Sequence, residues 1–206
     1  NRDAGMIRLR EQLLDRMLGI AHQPVLNAAP GAPAEDTDIL ALSARLAKAM
    51  TRLKVAAMSA DGAHVDYPLL QRHPDYRALT TQLTPALNQA ELRRLPSPAA
   101  AQAFWINLYN ALTIDAIIQY AITDSVAATP LSSMRFFRSA AYQVNGMRFS
   151  LDDIEHGILR ENRGHPFIPG KHFAEDDPRA QLALPLDPRI HFALNCASLS
   201  CPPINI

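Results

Sequence analysis

Asp38 followed by Ile39, Leu42, Leu46, Met50, Leu53 and Ala57 is the pattern that most constrains this chain. Apolar residues at steps of three and four lay one continuous stripe along an α-helix. An Asp just ahead of the first supplies an oxygen for the unpaired amides of the opening turn. The spacing predicts a helix over residues 39–59, ended by Asp61-Gly62. A stripe of that length has to be buried against partners, and the chain supplies them. Leu79, Leu83 and Leu87 give a second helical register over 75–95, where Pro85 predicts a kink or a break. Ser97-Pro98 opens a third helix, with Ser at the cap and Pro in the first turn. Phe104, Leu108 and Leu112 are its core residues, and Asn107 and Asn110 share a face. Asn competes with helical backbone for hydrogen bonds. Two of them in an apolar helix therefore imply tertiary partners, either a buried loop or a group at a site.

The β signal is confined to residues 142–149. Asn145-Gly146 between short β-type runs predicts a two-residue type I′ hairpin. Ser150 caps the next helix, with Asp153 completing a capping-box pattern and Leu151, Ile154 and Ile158 facing inward. Residues 162–188 are Pro-rich and irregular, and a loop of that length is usually functional or an ordered cover. Residues 190–194 read as a buried strand. At the other end, residues 6–20 form an amphipathic helix with Leu9, Leu13, Leu14 and Leu18 on one face and Arg8, Glu11, Asp15 and Arg16 on another. Residues 23–38 are rich in Pro, Ala and acid and read as a linker. The expected fold is therefore α+β, predominantly helical with a small β-hairpin or short sheet. It has an N-terminal helix and linker over 1–37 and a single domain over 38–206.

Composition closes several routes. Formal net charge is zero, which argues against a general nucleic-acid footprint. No run reaches the ~18–20 apolar residues of a membrane helix; the best candidate, 111–122, is interrupted by Asp115 and Gln119. No signal-peptide pattern opens the chain, which starts at Asn1. Two cysteines in 206 residues make no disulfide scaffold. These features favour an intracellular protein, an organelle included.

Both cysteines, Cys196 and Cys201, fall in the last stretch, with His191 and Asn195 just ahead of them. A thiol needs a cation, a base or a helix N-terminus nearby to ionise near neutral pH. His191 or His156 is a candidate base, and Asn195 a candidate orienting or oxyanion group. Glu155 and His156 sit on the capped helix, and His156 stands four residues from both Asp152 and Arg160. A surface charge network explains them, as does a general base facing the site. Other readings of the cysteines stay open: a local disulfide, a four-ligand metal set of Cys196, Cys201, His191 and His156, or two buried thiols in a packed turn. The irregular spacings match no standard metal motif, so no metal and no cofactor is expected. His22, His64, His73, His165 and His172 read as surface or loop residues.

Asp61-Gly62 with Val65-Asp66-Tyr67, Ala103-Phe-Trp-Ile-Asn-Leu-Tyr-Asn-Ala-Leu112, Ser150-Leu-Asp-Asp-Ile-Glu-His-Gly-Ile-Leu-Arg160, Asp177-Pro-Arg179, and Arg189-Ile-His-Phe-Ala-Leu-Asn-Cys196 with Ser200-Cys-Pro-Pro203 occur in that order. On these five motifs, from about Ser43 onward, the chain resembles domain-of-unknown-function family 547 of plants, nematodes and bacteria. The resemblance implies no established activity; members often stand beside other modules such as glutaredoxin-like domains or coiled coils. Ala197 stands where the family usually has Gly, and the family domain continues past the point where this chain ends. Two functions are expected from these features. One is a non-catalytic interaction or accessory subunit, meeting a protein partner through the N-terminal helix and the C-terminal edge. The other is a thiol-dependent hydrolase- or transferase-like enzyme using Cys196 or Cys201, His191 or His156, Glu155 and Asn195.

Overall fold

The computed structural model describes residues 2–20, 24–28, 38–59, 64–123, 125–126 and 128–195. Cys196, Ala197, Cys201 and the Asp61-Gly62 pair lie outside these. Helix α1 spans Arg2–Met17, α2 Ile39–Ala57, α3 Tyr67–Arg72, α4 Pro74–Ala78, α5 Thr84–Ala86, α6 Pro98–Gln119 and α7 Pro130–Ser139. Strands β1 (Ala141–Val144) and β2 (Met147–Ser150) pair antiparallel. The fold is α+β and mostly helical, as the patterns predicted.

Helix α2 is capped by Asp38, whose carboxylate accepts from the Ala41 amide at 3.3 Å. Its buried residues are the six that define the stripe. They pack against α6, which Ser97 caps through the Ala100 amide at 3.2 Å. Helix α6 has no polar face along most of its length, so it can only be a core helix. Trp105 on α6 meets Phe104 edge-on (5.2 Å) and Phe149 of β2 (4.8 Å), tying helix to hairpin. Asp115, in the middle of α6, is buried and accepts from Tyr76 and Tyr142 hydroxyls at 2.7 Å each and from Gln119 at 2.9 Å. One carboxylate thus joins α4, α6 and β1.

At Pro85 the helix does not break. It widens into a π-helix over Leu79–Leu83 just before the proline, which accommodates a residue with no N–H and a ring that crowds the preceding turn. The hairpin turns at Asn145 and Gly146, both at positive φ, with Val144 opposite Met147, as a type I′ turn requires. The capping box is present: Asp153 Oδ2 accepts from the Ser150 amide (2.8 Å) and Ser150 Oγ from the Asp153 amide (3.0 Å). The segment it opens is a π-helix over Asp153–Leu159.

Two expectations need correction. Residues 190–194 are no strand: Pro188–Phe192 is a 3₁₀ turn whose cap, Asp187, accepts from the Arg189 amide at 3.0 Å. Ile190 and Leu194 are buried four residues apart, while His191 and Phe192 are exposed. Asp-Pro is a helix-start signal, and here it outweighs the apolar run. Part of the expected linker is packed: Asn27 is buried, donates to the carbonyls of Thr84 (2.8 Å) and Gln143 (2.9 Å), and accepts from the Gln143 amide (2.8 Å). Helix α1 divides its apolar residues: Ala4, Ile7, Leu14 and Leu18 are buried or half-buried, Glu11 and Asp15 face Arg138 of α7, and Leu9 and Leu13 stay outside.

Candidate functional site

The chain reaches Cys196 through a segment held by α6. Asn110, buried at 2% exposure, donates from Nδ2 to the Ala193 carbonyl (3.0 Å) and accepts at Oδ1 from the Asn195 amide (2.9 Å). It behaves as one more strand edge for residues 193–195. Of the two helix asparagines, Asn110 makes this bridge, and the buried-loop reading describes it. Asn195 is therefore fixed through its backbone, half-buried, directly ahead of Cys196.

Glu155 lies near this segment. Its half-buried carboxylate accepts from the Tyr109 hydroxyl at 3.2 Å, and Arg160 Nη1 stands 3.9 Å away. Burial raises the Glu155 pKa, against the pull of Arg160, the Tyr109 hydrogen bond and His191. His191, on the 3₁₀ turn, is exposed and within electrostatic reach of both Glu155 and His156. Tyr109 is fully buried, and burial together with the Glu155 charge keeps its hydroxyl protonated. Glu155 and His191 are thus within electrostatic reach of each other and Asn195 is held by Asn110, whereas Cys196 and Cys201 lie outside the described residues.

His156 is a different kind of residue. It is buried, and its pKa is pushed down to about 2, by burial first and by His165 and His172 next. Arg160 Nη1 approaches Nδ1 at 3.2 Å, which leaves the proton of the neutral ring on Nε2, 3.8 Å from Asp152 Oδ1. The ring is uncharged near neutrality and is held between Arg160 and Asp152. The Asp152–His156–Arg160 series is thus interior rather than a surface network, because the wide helix turns Asp152 and His156 into the body.

Beside it lies a denser cluster that sequence reasoning missed. His172, read as a loop residue, is buried and its Nε2 lies 2.7 Å from Asp153 Oδ1. Burial alone would lower its pKa, but the bond and charge of Asp153 raise it. Asp153 also meets Arg179 (3.4 Å) and Arg148 (3.9 Å). Arg179 stacks on Phe173 at 4.5 Å and pairs with Asp177 at 2.7 Å. Arg138, buried in α7, holds Glu11 and Asp15 of α1 at 2.7 Å each. These groups line a cavity of about 220 Å³ between α1 and the body. The signals available were the Ser150/Asp153 box and Asp177-Pro-Arg179, and neither names the remote partner that Asp153 and Arg179 find in each other. Among the described residues no three His, Cys, Asp or Glu side chains are grouped to hold a metal ion, and no helix is long and apolar enough to cross a membrane.

A family model described as "Protein of unknown function, DUF547" matches residues 92–206. That region contains Asn110, Glu155, His156, His172 and His191 alike. No curated protein and no solved structure matches the chain.

Proposed function

The chain belongs to DUF547, a family of unknown function, and from that premise we propose that it is a non-catalytic docking module that binds a partner polypeptide through α1. The orientation of α1 carries this reading. Met6, Leu9, Leu13 and Met17 form a stripe along the outer face, exposed by 62, 57, 50 and 81%. Burying such side chains is worth ~1.5–3 kcal/mol each, yet these four stay outside while Leu14 and Leu18 turn inward beside Glu11 and Asp15. A contiguous exposed apolar stripe on a folded domain marks an interaction site. Two of its four members are Met, which adapts to an uneven partner surface. Exposed Arg2 and Arg16 stand one turn from Met6 and Leu13. The partner this suits is an amphipathic helix whose apolar ridge is flanked by carboxylates.

The test is a double substitution, Leu9→Glu with Leu13→Glu, in the full chain. Both positions are exposed, so folding should be unchanged within about 0.5 kcal/mol. A partner captured by the wild type, then purified and titrated, should bind the variant at least about tenfold more weakly. Equal affinity for both proteins ends the docking reading.

A second reading rests on Glu155, which has a raised pKa, accepts from Tyr109 and lies within electrostatic reach of His191. In it, Cys196 or Cys201 is the nucleophile of a thiol-dependent enzyme, His191 the base, and Glu155 its orienting carboxylate. His156 is the alternative base of this reading. Alkylation rates measured against pH separate the readings: an activated thiol reacts well below the ordinary thiol range of roughly 8.5, and His191→Ala returns it there. An unperturbed profile in the wild type leaves docking as the sole reading.

A further inference from the structure

Helix α2 buries one apolar stripe and carries only basic charge on the rest of its surface. Ile39–Ala57 holds Arg45, Lys48, Arg52 and Lys54 and no acidic residue, in a chain whose net charge is zero. Arg45, Lys48 and Arg52 are exposed, and steps of three and four put them on one flank of the helix. They rim a groove of about 160 Å³ whose opposite wall is α4 with the π-helix Leu79–Leu83. Asp75 of α4 is the one carboxylate among the described lining residues, and Arg52 engages it at 3.3 Å. Arg45 and Lys48 therefore leave the rim with a surplus of positive charge.

The floor between the two walls is apolar, made by Ala49 of α2 with Leu79 and Leu83 of the π-helix. Its size is close to the ~150 Å³ of a cavity that takes up benzene, so it admits one apolar side chain. A lone anion would use the rim and leave the floor empty. A purely apolar segment would fill the floor and leave the surplus charge unmet. A nucleic acid calls for a longer basic track, and a bilayer is met by protruding apolar side chains rather than by a hollow. A single apolar side chain flanked by carboxylates matches both rim and floor. Complementary rim charges steer and select a partner more than they tighten it, so the contact is a weak, salt-sensitive one.

We propose that this groove docks an acidic peptide segment, which inserts one apolar side chain between α2 and the π-helix while its carboxylates meet Arg45 and Lys48. The inference goes beyond the docking reading of α1. The groove shares no residue with the α1 stripe, so either surface can fail alone.

The probe is the synthetic peptide acetyl-Glu-Asp-Phe-Asp-Glu-amide, titrated at low salt into the isotope-labelled full chain and followed by backbone amide shifts. Saturable shifts should map to α2 around Ala49 and to Leu79–Leu83, and should shrink at ~1 M salt. A peptide with Ala in place of Phe should bind at least about fivefold more weakly, because the floor stays unfilled. Arg45→Glu with Lys48→Glu should weaken binding at least about tenfold. Both positions are exposed, so the fold should hold; Arg45→Gln with Lys48→Gln covers the case in which charge reversal disturbs α2, and should show a smaller loss in the same direction. Absence of saturable shifts at the groove overturns the proposal, as does equal affinity of wild type and the charge variants. Equal binding of the Phe and Ala peptides overturns the apolar anchor and leaves a diffuse basic patch. An oligothymidylate of matched charge that shifts the same amides at lower concentration overturns the peptide class.

Discussion

Asp152 and Asp153 are adjacent in sequence, and the fold drives their carboxyl groups in opposite directions. Burial would raise both. Asp153 receives the His172 ring, the nearby charge of Arg179 and the Ser150 amide, and its pKa falls well below the usual range. Asp152 has only more distant cations, and burial pushes it up to about 7 despite His172 and Arg138. This difference sets the sign for stability. Unfolded, Asp152 loses its proton near its ordinary value of 3.8; folded, it keeps that proton to about 7. Its favourable contribution is complete below about pH 4 and is lost as pH rises through 7. Asp152→Asn imitates the protonated form at every pH. It should be near neutral at pH 4 and increasingly stabilising toward pH 8, by about 1–4 kcal/mol there at ~1.36 kcal/mol per pKa unit. Urea unfolding at the two pH values checks this; a larger loss at pH 8 than at pH 4 would mean that the ionised carboxylate supports the fold. Asp153 should behave oppositely, contributing above pH 4 and losing that contribution only in stronger acid.

Elements defined by neighbours in sequence were legible, and elements defined by distant partners were not. The α2 stripe, the Ser97-Pro98 start, the Asn145-Gly146 turn and the Ser150/Asp153 box are local, each set by residues within one or two turns. The same is true of Asn110, whose misfit in an apolar helix announced a tertiary bond without naming its partner. His172 could not be read this way, because its burial depends on Asp153, nineteen residues earlier. The facing of α1 was only partly legible for a related reason: Arg138 draws Glu11 and Asp15 inward, so of its four patterned leucines only Leu14 and Leu18 follow. The π-helix over Asp153–Leu159 carries a consequence of its own. It brings Gly157 against the Phe173 ring, where a Cβ would overlap Cε2 and Cζ. Gly157→Ala should therefore destabilise by about 1–3 kcal/mol, the cost of overpacking a filled core. The ordinary helix preference for Ala over Gly, about 1 kcal/mol, points the other way. Thermal unfolding with a lower Tm identifies the clash as the larger effect.

At the scale of the whole molecule, two kinds of adhesion hold the chain together. The body is apolar: α2 and α6 interlock, and Asp115 joins α4, α6 and β1 with all its close donors supplied from within. Helix α1 is attached mainly by charge and polarity, through Arg138 to Glu11 and Asp15, through Arg8 to Asp176, and through Arg10 to the carbonyls of Pro169 and Lys171. The Arg8–Asp176 pair is exposed, which places it among ion pairs worth ~0–1 kcal/mol. The Arg138 pairs are buried, so they resist screening better, and Ala4, Leu18 and Ile20 of the same segment are buried as well. Raising salt from 0.1 to 1 M shortens the screening length from about 10 to about 3 Å and slightly strengthens apolar burial. The two parts should therefore respond differently. Hydrogen exchange read by mass spectrometry at both salt concentrations should find α1 less protected than α6 at low salt. At high salt α1 should lose further protection while α6 is unchanged. Loss of protection in both helices together would mean that α1 is an integral part of one cooperative core. Protection of α1 equal to that of α6 at both salts would mean that the buried Arg138 pairs alone suffice to hold it.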